Sequence, residues 1–180
     1  YMRVTVRHRP LAALAASALA LGGLGVPAAS AQQLLLPGSS FGLTFGDVSA
    51  PVPLDPAGEE YREQLIEATN AARAANDRPP LAVDPALNEI AADWSAEQAR
   101  ANRMHHNPDL RGQLPTRARH WAENVLQNWR NASPQDLVDQ WMASRAHRAN
   151  LLRIDHSAMG VGVAVAGDNR LYATQVFVRF

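Results

Sequence analysis

The sequence contains no cysteine and no lysine. Without cysteine there is neither a disulfide framework nor a thiol nucleophile, so an apolar core has to stabilise the fold. The 17 basic residues are all arginine and are balanced by 17 acidic residues, which gives a net charge of zero. Because a nucleic-acid-binding surface usually needs an excess of basic residues, we expect no nucleic-acid partner.

Short motifs that identify several enzyme classes are also missing. The sequence has no Gly-x-Ser-x-Gly nucleophile elbow, no phosphate-binding loop and no His-Glu-x-x-His zinc motif. Its 180 residues allow one domain of ordinary size. The enzyme classes that these three motifs identify are therefore not indicated.

The first 31 residues have the pattern of an export signal. Three arginines precede an apolar run at residues 11–26, and Ala29-Ser30-Ala31 matches a small-residue cleavage site. A retained membrane helix is the alternative, but the run is rich in Ala and Gly and shorter than the ~20 strongly apolar residues that a span needs. We expect a secreted, extracellular monomer without a membrane span that begins at Gln32. Losing three arginines leaves 14 basic residues against 17 acidic ones, a mildly acidic chain.

Composition divides the remainder into an arm and a domain. Residues 32–56 are rich in Pro, Gly and Ser without sustained periodicity, which indicates a flexible arm. The domain is expected to cover residues 57–180. From Tyr61 to Ala72, apolar residues recur every three or four positions and predict an amphipathic helix that ends near Asn76.

Two later helices begin with a capping residue followed by proline, at Asp84-Pro85 and Ser133-Pro134. The first is expected to end at residues 102–104. Ser144 is the expected cap of one more short helix, which carries His147. The side chains predicted to be buried on these helices are Leu87, Ile90, Ala91, Trp94, Leu137, Val138 and Trp141.

The remaining segments are predicted to be extended or irregular. Residues 107–119 have loop composition, and residues 120–127 are predicted to be extended. Alternating valines at 161, 163 and 165, turn residues at 167–169 and a run at 171–178 predict a hairpin. Helices combined with this hairpin indicate an α+β domain in which helices pack on an antiparallel sheet.

Four segments occur in an order that resembles the CAP superfamily of cysteine-rich secretory, antigen 5 and pathogenesis-related proteins. The resemblance is to its cysteine-free bacterial branch and covers residues 57–180. It implies a three-layer α-β-α sandwich with helices flanking an antiparallel sheet. Animal and plant members are usually disulfide-bonded, and this chain is not. The segments are Met104-His105-His106-Asn107-Pro108, Ala122-Glu123-Asn124-Val125, residues 141–152, and residues 160–165 followed by 172–177.

The resemblance also implies a surface cleft lined by two histidines and two acidic residues. His106 matches the first histidine, and Glu123 matches the first glutamate in an Ala-Glu-Asn segment where the family usually has Gly-Glu-Asn. The position of the second glutamate holds Ser144, and that of the second histidine holds Asp155. Half of the tetrad is therefore carried over, which weakens an inherited metal site.

His147 corresponds to a different family pattern, the Ser-Pro-Gly-His-Arg-x-Asn segment of bacterial members, with Arg145-Ala146 in place of Pro-Gly. The expected cleft residues are thus His106, Glu123, His147 and Asp155.

Two interpretations of these residues are open. His106 and His147 could hold a divalent metal such as zinc weakly, with Asp155 as an oxygen ligand and Glu123 as the candidate catalytic group that polarises a water. Alternatively, the two histidines hydrogen-bond to Glu123 and to the backbone and fix the loops around the cleft.

Other conspicuous residues are expected to have structural or solvated roles. The asparagines at 107, 124 and 150 are expected to cap backbone groups in turns. Half-buried packing is expected for Trp121 and Trp129. The remaining histidines are predicted to be solvated neighbours rather than ligands, namely His105, His120 and His156.

Three functions follow as hypotheses. The first is an exported bacterial binding protein that uses the cleft without turnover, for an extracellular, lipid or cell-envelope ligand. The second is a metal-assisted hydrolase, with peptides as substrates, that uses His106, Glu123 and His147. The third is an envelope interaction module that acts through the arm at residues 32–56.

Overall fold

A computed structural model describes residues 54–180. The predicted export signal and all but the last three residues of the predicted arm lie outside the described residues. No helix within residues 54–180 is long and apolar enough to cross a membrane.

Five helices and four strands make up the described chain. Helices were predicted at all positions except residues 110–113, where the expected loop contains one helical turn. Residues 82–83, expected as a connection, form a short strand. The elements are α1 Glu59–Ala74, β1 Ala82–Val83, α2 Pro85–Ala101, α3 Leu110–Gln113, β2 His120–Trp129, α4 Pro134–Ala143, α5 Arg145–Leu151, β3 Ala158–Val165 and β4 Arg170–Arg179.

The strands form one sheet in the order β1-β3-β4-β2. Strand β4 pairs antiparallel with β3 in the predicted hairpin, and with β2 over ten residues on its other side. Strand β1 adds a two-residue parallel pair with β3. Because β2 has a partner on one side only, it is an edge strand of the sheet.

Local capping determines where two of the helices begin. The Asp84 carboxylate accepts hydrogen bonds from the backbone N–H groups of Ala86 at 3.0 Å and Leu87 at 3.4 Å. Ser133 and Asp136 form a capping box at the start of α4. Ser144 occupies the N-cap position of α5 as predicted, but its side chain makes no capping hydrogen bond.

Apolar side chains cover both faces of the sheet. One cluster, centred on Tyr61, Trp141 and Phe177, joins the sheet to α1, α4 and α5. A second cluster, which includes Leu87 and Val176, joins the opposite face to α2 and α3. This arrangement of helices, sheet and helices is the α-β-α sandwich expected from the sequence.

Helix α2 lies unusually close to the sheet because β3 presents glycine to it. A Cβ atom on Gly160 would overlap the backbone of Leu87, and one on Gly162 would overlap the backbone of Ala91 and Ala92. The two glycines therefore determine how closely α2 approaches the sheet, which in turn positions the loop that follows α2.

Helix α2 buries a different set of side chains from the one predicted. Trp141 in α4 is fully buried, as expected, but Ile90 and Trp94 are only partly buried, because the inward face of α2 consists of Leu87, Ala91, Ser95 and Gln98. Arg73, which the sequence did not single out, is completely buried in α1. Its guanidinium donates to the carbonyls of Leu151 at 2.6 Å and Pro79 at 2.9 Å, which ties α1 to the end of α5.

Candidate functional site

The centre of the candidate site is a hydrogen bond between His106 and Glu123. The His106 Nδ1 atom lies 2.6 Å from Glu123 Oε1. Because a carboxylate oxygen can only accept, Nδ1 carries the hydrogen, and the lone pair of the neutral ring is on Nε2. The Glu123 side chain is 5% exposed whereas that of His106 is 64% exposed. The buried Glu123 carboxylate therefore holds the exposed imidazole of His106 so that its Nε2 atom is an acceptor facing solvent.

The second Glu123 oxygen has a different environment. Oε1 also accepts from the backbone N–H of Asn107 at 3.1 Å, but Oε2 is buried and has no hydrogen-bond partner among residues 54–180. An unsatisfied buried carboxylate oxygen is costly, so Glu123 retains an acceptor that a donor group would stabilise.

The loop that carries His106 is fixed by α2. The indole Nε1 of Trp94 donates to the His105 carbonyl at 2.9 Å, and the His105 N–H donates to Gln98 Oε1 at 3.2 Å. The Asn107 side chain accepts from the Asp109 N–H at 3.0 Å and donates to Gln113 at 2.8 Å. His106 thus projects from a loop whose neighbouring residues are held on both sides, and Asn107 has the predicted turn role.

On the other face of β2, Asn124 binds the helix that carries His147. The Asn124 amide donates to the His147 carbonyl and to Gln175 Oε1, each at 3.1 Å. Asn150 donates to Asn124 Oδ1 at 3.0 Å and to the Glu123 carbonyl at 3.3 Å. Adjacent residues of one edge strand therefore connect the two histidine-bearing segments, Glu123 to the loop after α2 and Asn124 to α5.

His147 lies near His106 but shares no hydrogen bond with Glu123. Burial lowers the pKa of His147, and the positive charge that His106 can carry lowers it further. The ring therefore stays neutral over a wider pH range than a solvated imidazole.

The structure places Asp155 with arginines. Its carboxylate forms ion pairs with Arg153 at 2.5 Å and Arg179 at 3.6 Å. Arg153 is the leading cause of a lowered Asp155 pKa. Within residues 54–180, no hydrogen bond or ion pair joins Asp155 to His106, Glu123 or His147.

His156, predicted to be solvated, is instead buried at 4% exposure. Its ring stacks parallel to Phe177 at a centroid distance of 5.4 Å, and its Nε2 lies 3.2 Å from Nδ1 of His120. Burial is the main cause, and His120 the second, of a His156 pKa lowered to about 4. The prediction was wrong because an isolated histidine before a strand has no local pattern that reveals tertiary stacking.

The donor set does not fit a resident three-ligand metal centre. Within the described chain, no group of three or more His, Asp and Glu residues is arranged to hold a metal ion. Only the two imidazoles of His106 and His147 remain as candidate ligands, because the expected oxygen ligand, Asp155, is bound to arginines. What the arrangement offers is two imidazoles and one unsatisfied carboxylate oxygen, which are hydrogen-bonding and proton-accepting groups.

Hydrogen bonds from Trp94, Gln98 and Asn150 hold the site together. From the sequence, Trp94 was assigned to the core and Gln98 was not singled out. A signal was available for Gln98, since it is a polar residue on the face shared by Leu87 and Ala91. Such a residue is usually hydrogen-bonded.

Comparison with known proteins agrees with the fold. Residues 66–177 match the model of the cysteine-rich secretory protein family, CAP. The uncharacterized protein YkwD of Bacillus subtilis is 26% identical over 114 residues, which are 59% of this chain and 44% of that protein.

Two solved structures give the same result. An extracellular protein containing an SCP domain from Bacillus anthracis is 25% identical with a TM-score of 0.56, over 67% of this chain and 41% of that one. A cysteine-rich secretory protein from Staphylococcus aureus is 27% identical with a TM-score of 0.56, over 72% and 41%. The chain spans less than half the length of these relatives.

Proposed function

The chain belongs to the cysteine-rich secretory protein (CAP) family, and we propose that it is an exported bacterial member that binds a ligand without chemical turnover. The proposed binding surface is the His106 site, which consists of His106, Glu123 and His147. Export is supported by the basic, apolar and small-residue segments of residues 1–31. The extracellular relative from Bacillus anthracis is consistent with it.

One observation carries the proposal of binding. The exposed His106 imidazole is held through its Nδ1 by the buried Glu123 carboxylate, which leaves Nε2 as an acceptor towards solvent. A ligand hydroxyl or amine that donates to Nε2 would bind without breaking the hydrogen bond to Glu123. An extracellular, lipid or cell-envelope molecule with such a donor group is the ligand class that we propose.

The fixed geometry around the pair also favours binding. The loop of His106 is held by Trp94 and Gln98, and α5 is held by Asn124. Little conformational entropy would be lost in ordering these segments around a ligand, and such preorganisation increases affinity.

A metal-assisted hydrolase is the second candidate. The observation that favours it is the carboxylate–histidine hydrogen bond, an arrangement that orients histidine ligands in metal sites. His106 and His147 would be the ligands, and Glu123 would fix the His106 tautomer. Two imidazoles alone make at most a weak site, which is why we place this candidate second.

Zinc titration followed by thermal unfolding separates the two candidates. If the site binds donors without a metal, zinc leaves the unfolding midpoint unchanged or raises it slightly. His106→Ala would then lower stability by about 1 to 3 kcal/mol with or without zinc, because Glu123 loses a donor. Met104→Ala is the control, since Met104 lies in the same loop and its side chain is exposed at 47%.

The hydrolase predicts a different pattern. Zinc would then stabilise the parent strongly, and either His106→Ala or His147→Ala would remove that stabilisation. The effect would also fade below about pH 6.5, where protons compete with the metal for imidazole. That result would contradict binding without a metal.

A further inference from the structure

A pocket lies beside Trp129, at the C-terminal end of β2. It has a volume of about 560 Å³, within the usual range for small-molecule sites. Trp129 is six residues from Glu123 along the strand, or about 20 Å at the rise of a β-strand. We call this cavity the Trp129 pocket. Its lining residues are Leu54, Asp55, Trp129, Arg130, Asn131 and Asn169.

Backbone hydrogen bonds hold the walls of this pocket in place. The Arg130 N–H donates to the Asn169 carbonyl at 2.9 Å, which joins the end of β2 to the β3–β4 turn. The Gly58 N–H donates to the Asp55 carbonyl at 2.8 Å, and Leu54 packs against the main core. Both walls of the pocket are therefore tied to the folded domain.

Its side chains combine one aromatic surface with planar polar groups. Trp129 is 56% exposed, the most exposed tryptophan in the described chain. Two carboxamides, Asn131 and Asn169, accompany it, together with the ion pair of Arg130 and Asp55 at 3.6 Å. One positive and one negative side chain give the lining no net charge, which favours an uncharged ligand.

These groups match the chemistry of a sugar ring. The C–H groups on one face of a pyranose carry partial positive charge and stack on the electron-rich face of an indole. Hydroxyls act as donors and acceptors at the ring edge, where amide, carboxylate and guanidinium groups pair with them. An acetamido substituent adds an amide that matches the two asparagines.

We propose that the Trp129 pocket is a binding subsite for a neutral, N-acetylated saccharide. The pocket is separate from the His106 site, and this inference does not rest on the function proposed for that site. In an exported protein, the ligand would be a glycan encountered outside the cell.

Isothermal titration of the purified protein with triacetylchitotriose tests the proposal. We expect saturable binding by the parent, reduced about tenfold or more by Trp129→Ala through loss of the stacking surface. Trp129→Phe should retain part of the affinity because it keeps an aromatic face. Trp121→Ala is the matched control, since Trp121 lies on the same strand, is also exposed at 38% and is outside the pocket.

Stability is measured in parallel so that a folding defect is not mistaken for loss of binding. Unchanged affinity in a folded Trp129→Ala variant, or no binding by the parent, would overturn the proposal. A dimer in sedimentation that Trp129→Ala disperses would assign the pocket to a second copy of the chain and would also overturn it. The proposal would also be overturned if the chain segment just before Leu54 were the occupant of the pocket. In that case, the Trp129 indole NMR signal would respond to replacing Pro51 and Pro53 by glycine but not to the saccharide.

Discussion

The indole nitrogen of Trp94 donates a hydrogen bond of 2.9 Å to the carbonyl of His105, one residue before the exposed imidazole of His106. The Trp94 indole and the His105 imidazole also meet edge to face, with ring centroids 4.8 Å apart. A tryptophan on a helix thus positions the loop that presents the candidate ligand-binding histidine. The partial burial of Trp94 is consistent with this role, because its indole ring packs against the loop rather than against the sheet.

Trp94→Phe should therefore loosen the His106 loop while it keeps most of the ring packing. The loss of one hydrogen bond to a partly buried carbonyl is expected to cost about 1 kcal/mol. Amide hydrogen exchange should become faster at Asn107, whose N–H donates to Glu123. Trp121→Phe, at an exposed position, is the control. Unchanged exchange at Asn107 would show that Trp94 does not position the loop.

Trp141→Ala tests the packing of α4 against the sheet. Trp141 is completely buried in the larger core cluster, and removing so large a side chain is expected to cost about 3 to 5 kcal/mol. Urea denaturation measures the change, with the exposed Trp121→Ala as comparison. Equal midpoints for the two variants would contradict the assigned burial.

Gly162→Ala tests the close approach of α2 to β3. The added methyl group would overlap the backbone of Ala91 and Ala92, and we expect a loss of about 3 kcal/mol or more. Gly167→Ala is the control because a Cβ there meets nothing within 4 Å, so its effect should stay below about 1 kcal/mol. Similar thermal midpoints for Gly162→Ala and Gly167→Ala would contradict this expectation. They would mean that α2 moves away from β3 with little loss of unfolding free energy.

Acid should destabilise the protein partly through His156. Its folded pKa of about 4 lies below the ordinary value of 6.5, so the unfolded chain takes up the proton first as pH falls. The stability that the neutral ring contributes is complete above pH 6.5 and is lost between pH 6.5 and 4. His147, whose pKa is also lowered, acts in the same direction. Around His156, the charges of His120, Arg153 and Arg73 oppose protonation and that of Asp155 favours it.

Unfolding free energies of the parent and of His156→Phe, measured at pH 7 and pH 4, test this account. The parent should lose about 3 kcal/mol more than the variant, since each pH unit in this window corresponds to about 1.4 kcal/mol. Carboxylates titrate in both proteins and cancel in the comparison. Parallel pH profiles would contradict the assignment.

Local signals in the sequence predicted most of the fold. The pairs Asp84-Pro85 and Ser133-Pro134 determine helix starts through contacts within a few residues, and alternation with turn residues determines the hairpin. The burial of Arg73 was not predictable in this way, because its partner Leu151 is 78 residues away. Trp94 was assigned to the core because helical periodicity places it beside Ala91 but does not reveal how far the sheet extends.

The candidate site was predictable only through the family resemblance. Nothing in the spacing of His106 and Glu123 implies a contact, yet the structure places them 2.6 Å apart. For Asp155, aligned position suggested a cleft ligand, but Arg153, two residues earlier, supplies a nearer partner. Whether Asp155 pairs with Arg153 depends on the geometry of both side chains, and a sequence motif does not specify that geometry.

Glu123 is proposed to serve binding and not catalysis, and a peptide-turnover assay distinguishes these two roles. A peptide library is incubated with the parent and with Glu123→Gln at pH 7, with and without zinc, and cleavage is followed by mass spectrometry. We expect no peptide cleavage by either protein. Turnover by the parent that Glu123→Gln abolishes at an unchanged unfolding midpoint would contradict it and favour the hydrolase.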